Sequence, residues 1–217
     1  MNFTLTQRDL ALMRWINEHG FVNVHHIARF LKTTVPCAYG RVKCLVDYRY
    51  LRHNRIFHGT PGIYRTTLSG VHVSGSGLPP MRHVPLATYQ HDLAIVEMSL
   101  LLLNTLGGVF VTERLLRQEA GVSRFNHAIH ISDGLLKLTN KTIAIEVELS
   151  KKTKARRDSI IQHYMAKSDI NEVWYFCGDS AIQRNVEKST DTIEFVHCFL
   201  LEEVLQNINL IKEHING

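Results

Sequence analysis

Residues 142–149 read TIAIEVEL. Ile143, Ile145, Val147 and Leu149 alternate with Glu146 and Glu148, and a period of two is the period of a β-strand. One face of such a strand is apolar and the other carries both carboxylates. A second apolar stretch, 129–138, precedes it, with Asp133 early in the run, and Thr139-Asn140-Lys141 between the two stretches supplies a tight hairpin turn. The hairpin gathers Asp133, Glu146 and Glu148 at one edge of a sheet. Three carboxylates there repel one another unless a cation or a nearby Lys or Arg compensates. Hard divalent ions, Mg2+ or Mn2+, take such oxygen ligands. Asp133, Glu146 and Glu148 are therefore candidate metal ligands. The plainer alternative is a solvent-facing strand whose acids meet Lys151, Lys152 and Lys154 just downstream.

The 217 residues suit one large or two small domains, with 45% hydrophobic and 21% charged residues, ordinary for a globular protein. Charge is unevenly distributed. Residues 1–85 hold 11 Lys+Arg against 3 Asp+Glu, a net of +8, and the remainder holds 14 against 17, a net of −3. A basic third joined to a slightly acidic remainder points to a nucleic-acid-binding module and a second domain of different purpose. The most apolar stretch, 93–106, carries Glu97 and Asn104 and reads as a buried helix, so no membrane insertion is expected. The opening MNFTLTQRD lacks a signal-peptide pattern. Four cysteines without a CxxC pair fit reduced thiols, and the expected location is cytoplasmic.

Along the chain, Thr6 caps a helix over Gln7–His19 that Gly20 closes. A short helix follows from Asn23, and Thr33-Thr34 start a third that carries Pro36 in its first turn and runs to about Tyr50. Its inward stripe is Val42, Leu45, Val46 and Tyr50. Tyr39, Lys43 and Asp47 face outward, with Arg41 and Arg49 on the flanks. Two extended segments around Gly59-Thr60-Pro61-Gly62 then make a hairpin. Three helices and a hairpin are the order of a winged helix-turn-helix, in which the third helix enters the major groove and the wing touches backbone or minor groove. Tyr39, Arg41, Lys43, Arg52 and Arg55 are its candidate DNA contacts. The alternative is a small basic helical domain for protein contact. Residues 73–87, rich in Gly, Pro and Ser, form the expected linker between domains 1–72 and 88–217.

The second half reads α-β-β-β-α-β-α-β-α, a sheet covered by helices. A helix runs from Thr88 to Gly107-Gly108, and Glu97 within it needs a partner if buried. His91, near its start, is a candidate DNA or catalytic contact, the alternative being a hydrogen-bonded helix-start histidine. The strand VFVTERLLRQE places Glu113 near its end. After the acidic hairpin, SKKTKARRDSIIQHYMAKSD forms a helix whose basic start opposes its dipole. Lys154, Arg156 and Arg157, with Lys151 and Lys152, suit a phosphate backbone, or neutralise the adjacent carboxylates. Tyr164 falls on the apolar stripe of this helix.

The hairpin resembles that of the PD-(D/E)XK nucleases, with Ser132-Asp133-Gly134 as the PD element and Glu146-Val147-Glu148 as the (D/E)XK element. Ser132 replaces Pro, and Glu148 stands where that family has Lys, a role Lys151 or Lys152 could take. The order of elements likewise resembles the restriction-endonuclease fold. Together with the amino-terminal module, QHDLAIVE, Asp133-Gly134, IAIEVELS and the helix holding Tyr164 resemble the replication–relaxation family, including the MOBC-type relaxases of mobilisable plasmids. The resemblance implies an α/β protein with a winged helix-turn-helix ahead of a restriction-endonuclease-like domain. It implies binding to an origin-like site on double-stranded DNA and divalent-metal-dependent nicking. Asp133 and Glu146 would be primary ligands, Glu148 and Glu97 additional ligands or groups just outside the ligand set, and Lys151 or Lys152 would stabilise charge. Accessory mobilisation proteins and a second copy of the chain are the further partners expected. Two rivals stay open: a DNA-binding regulator of replication or transcription with an inert second domain, and a transposase-type nuclease within a larger complex.

Overall fold

The computed structural model describes residues 3–123 and 129–216. At the head of α1 (Gln7–His19), Thr6 and Asp9 form a reciprocal capping box, and Gly20 ends the helix at a φ of 88° that favours glycine. Next come β1 (Val22–Asn23), α2 (Val24–Phe30, capped by Asn23) and α3 (Val35–Asp47, capped by Thr34). The hairpin strands β2 (Leu51–Asn54) and β3 (Ile63–Thr66) pair antiparallel, β1 adds to the far edge of β3, and α4 (Leu68–Ser74) follows. Leu12, Met13, Ile16, Ile27, Val42 and Leu45 are fully buried in one core. The helix starts and the inward face of α3 agree with the sequence reading, because capping residues and the apolar stripe are local signals.

The expected linker behaves differently. Residues 73–87 are held to α1 and to β3 of the hairpin. Arg14 donates to Ser74 O, Asn17 to Leu78 O, and Arg65 to the carbonyls of Met81 and Arg82. The chain divides into two compact units, Met1–Leu100 and Leu101–Gly217, and the division falls inside α5 (Tyr89–Leu106). Val96 and Leu100 of α5 join the core of the first unit, which is why its boundary lies beyond the Gly/Pro-rich stretch.

In the second unit, β4 (Val109–Thr112), β5 (Gly134–Lys137) and β6 (Thr142–Glu148) are antiparallel neighbours. β7 (Glu172–Cys177) and β8 (Val196–Leu200) then continue parallel to β6, giving the order β4-β5-β6-β7-β8. The parallel steps cross over through α7 (Lys154–Met165) and α8 (Ser180–Thr190), as parallel neighbours require. Glu113 does not end a strand: it opens α6 (Glu113–Glu119), from which Leu115 and Leu116 pack against the core of the second unit. The strand expected over 129–138 is ladder-paired only over Gly134–Lys137. The single closing helix becomes α9 (Leu201–Gln206) and α10 (Asn209–Asn216). They are separated where the extended Asn207 turns its side chain to accept from Asn209 N.

Register fixes two faces on this sheet. One carries Val111, Leu135, Ala144, Glu146, Glu148, Tyr175 and Cys177, and packs its apolar members against Ile160 and Tyr164 of α7 and Ile182 and Val186 of α8. The other carries Leu136, Ile143, Ile145, Val147, Trp174 and Phe176, all essentially fully buried. Burial of each such side chain contributes about 1.5–3 kcal/mol. Among the described residues no helix is long and apolar enough to cross a membrane.

Candidate functional site

Glu146 and Glu148 point to the same face of β6, as the period of two requires, but that face lies under α7 instead of in solvent: they are 2% and 4% exposed. Buried carboxylates need partners, and each has one. Glu146 Oε1 accepts a hydrogen bond from Tyr164 OH of α7 and lies 3.0 Å from His130 Nε2. Glu148 is ion-paired with Lys152, four residues on. Asp133 stands just before β5, whose first residue, Gly134, pairs with Ile145. Its Oδ2 accepts the N–H of Val147 at 2.8 Å, so the carboxylate is fixed against the strand between the two glutamates. Gly134 has a steric reason: a Cβ there would overlap the ring of Phe110.

These groups share one electrostatic environment. Burial pushes the Glu148 carboxyl above its ordinary value; Lys152 opposes this, and the negative charges of Glu146 and Asp133 add to it. Burial, with Glu146 next to it, pushes the Tyr164 phenol well above its usual range, so it stays protonated and donates into Glu146. Tyr175, paired with Glu146 across the β6–β7 ladder, is pushed up by burial and the same carboxylates. Three clustered carboxylates are the donor chemistry of a hard divalent ion, so Asp133, Glu146 and Glu148 fit the expected metal in kind. They are not, however, drawn together as a set with all ligand atoms within 4.8 Å; among the described residues Glu172, His197 and His214 are such a set.

The other residues singled out in the sequence are distributed as follows. Lys151 is exposed, as are Lys154 and Arg156 at the start of α7. Arg157, expected on phosphate, instead donates to Ser189 Oγ and to Lys152 O, tying α7 to α8. In the first unit Glu97, expected at the metal, is ion-paired with Arg29 and lies 3.3 Å from His26 Nε2. Burial alone would raise the Glu97 carboxyl, but His26 and Arg29 outweigh it and hold it below the usual range. That compensation already employs the carboxylate. His91 lies in the first turn of α5, its Nδ1 3.5 Å from Asp92 Oδ1. On α3, Tyr39 (45% exposed) and Lys43 face outward. Arg41 does not: its guanidinium grips both oxygens of Asp9 and stacks over Phe3, pinning α3 to the head of α1. Arg52 and Arg55 are exposed on β2 and in the loop after it.

Sequence reasoning missed His130 as a partner of Glu146 and gave Tyr164 only an apolar role. A histidine three residues before Asp133 was the available signal for the first. It also missed Glu172, His197 and His214, which are 42 residues apart end to end and lie on three different elements, leaving no spacing to read. Comparison with protein-family models, with curated proteins and with solved structures finds no match for this chain.

Proposed function

We propose that the chain is a DNA-binding, divalent-metal-dependent endonuclease that nicks one strand at an origin-like site. Its first unit would act as a winged helix-turn-helix, and its second as a PD-(D/E)XK-type nuclease domain. The observation that carries the reading is the fixing of Asp133 by Val147 N–H beside Glu146 and Glu148 on one face, with the Lys152 ammonium on Glu148. Carboxylates confined together under a helix are costly for a scaffold and useful to a cation site. The β4-β5-β6 meander followed by parallel β7 and β8 supports the same fold assignment.

Roles follow from the contacts. Asp133 and Glu146 would hold a Mg2+ or Mn2+ ion, with Glu148 beside them, and the ion would neutralise charge on the scissile phosphate. Tyr164 and His130 orient the Glu146 carboxylate. Lys152 holds its ammonium on Glu148, the residue that stands where the resembled motif has lysine, and would offer charge to the transition state. Tyr39, Lys43, Arg52 and Arg55 would meet DNA in the first unit, and Lys151, Lys154 and Arg156 would meet the backbone near the cleavage site.

One observation favours a second reading, a DNA-binding replication or transcription regulator with an inert second unit. Each of the three carboxylates already has a protein partner, and their ligand atoms do not converge. Nicking of supercoiled plasmid carrying the mobile-element origin, with Mg2+ or Mn2+, separates the two. Metal-dependent open circles, lost in both Asp133→Asn and Glu146→Gln, are expected. Tight binding without nicking under either metal would leave the regulator.

A further inference from the structure

The far face of the second-unit sheet carries a different set of donors. Glu172 starts β7, His197 lies in β8 opposite Trp174, and His214 lies in α10. Glu172 and Trp174 are two apart on one strand, and Trp174 pairs with Ile145, so all of them sit on the face away from Glu146 and Glu148. One ligand atom from each of Glu172, His197 and His214 lies within 4.8 Å of the other two. We propose that these three residues form a binding site for a borderline divalent transition ion, zinc foremost, which clips α10 to the sheet.

The donor set chooses the ion. Two imidazoles and one carboxylate suit zinc, whereas magnesium and calcium prefer oxygen alone. The side chains are also held in place. The His197 and His214 rings have centroids 4.1 Å apart, and His214 packs edge-on to Trp174 and Phe199. Trp174 Nε1 donates to Glu172 Oε2 at 2.7 Å, and that same oxygen is 3.9 Å from His214 Nε2. Outer partners of this kind orient a ligating carboxylate. All three ligands are partly buried, and both histidines border an open cleft of about 370 Å³ that Glu187, Asp191 and Glu194 also line. These acids favour entry of a cation.

Lys141 works against the ion, since its ammonium donates to Glu172 Oε1 at 2.6 Å. Each carboxylate oxygen has a second lone pair, so the pairing costs affinity without blocking ligation. The physical use of the clip follows from α10 itself. It has eight residues, too few to be stable as an isolated helix. A metal bridging β7, β8 and α10 would anchor it. This proposal is independent of the nuclease reading, because it uses none of the same residues.

The test uses the full chain, stripped with a chelator and titrated with zinc alone, followed by competition with a chromophoric chelator and by thermal unfolding. Zinc should raise Tm, and the wild type should bind one equivalent more than the double histidine variant. His197→Gln and His214→Gln should each weaken binding by at least about tenfold. Lys141→Gln should tighten it, and Glu119→Gln, at an exposed residue outside both candidate metal sites, should leave it unchanged. Cobalt substituted into the wild type should give the intense visible bands of a four-coordinate site, a result that stands even if a variant fails to fold. The proposal is overturned if the wild type binds no zinc, if the double histidine variant binds as well as the wild type, or if cobalt shows only the weak bands of six oxygen ligands.

Discussion

Tyr164→Phe isolates one atom of the carboxylate site. The ring is 3% exposed and keeps its packing in phenylalanine, while the hydroxyl that donates into Glu146 is removed. Hydrogen bonds to charged groups contribute about 1.5–3 kcal/mol, and the acceptor here is buried, so a loss of about 2 kcal/mol is expected. For a unit of this size that corresponds to a Tm about 8 °C lower by scanning calorimetry. His130 remains on Glu146 and limits the loss. In the proposed hydrolytic chemistry Tyr164 only positions the carboxylate, so Tyr164→Phe should still nick plasmid, about tenfold more slowly, with no protein attached to the DNA. Its phenol, held protonated by burial and by Glu146, is a poor nucleophile. An unchanged Tm would refute the stabilising role. Complete loss of nicking at unchanged Tm, together with a wild-type protein–DNA adduct, would make Tyr164 the attacking group and refute the positioning argument.

Gly134→Ala should cost about 1–3 kcal/mol through overpacking against Phe110; in urea unfolding, Phe110→Leu in the same chain should recover most of it. Asp9→Asn breaks a buried pair with Arg41 and weakens the capping box, a loss of about 2–3 kcal/mol at neutral pH once the partial exposure of Arg41 is allowed for. Burial pushes the Asp9 carboxyl up, but hydrogen bonds from Arg41 and Thr6 outweigh it and leave it below 3.8. The stabilisation is thus complete above that value and lost as pH falls through the folded-state pKa, so the wild-type and Asp9→Asn stabilities should converge in acid. Replacing both Lys43 and Arg52 with Ala should reduce the slope of log K against log salt for DNA binding by about 2. Arg41→Ala should instead lower the midpoint of unfolding, because that guanidinium serves Asp9.

Much of the fold was legible because its signals are local. Thr6, Asn23 and Thr34 cap their helices through their own side chains, Gly20 ends α1, and the alternation of β6 puts Glu146 and Glu148 on one face whatever surrounds the strand. The basic first turn of α7 and the exposed Tyr39 and Lys43 could be read the same way. What the alternation could not say was which face the solvent meets. Only the docking of α7 turned an acidic strand face into a buried one and placed Tyr164 on Glu146. Nor could periodicity say that Arg41 would be taken by Asp9, that Glu97 would be taken by Arg29 and His26, or that 73–87 would pack as part of the first unit. The grouping of Glu172, His197 and His214 depends on the parallel register of β7 with β8 and on the seating of α10. The chain's own pattern decides where each element begins and which way its residues alternate. Contacts between elements distant in sequence are decided by packing, and those contacts set the partner, and so the role, of each charged side chain.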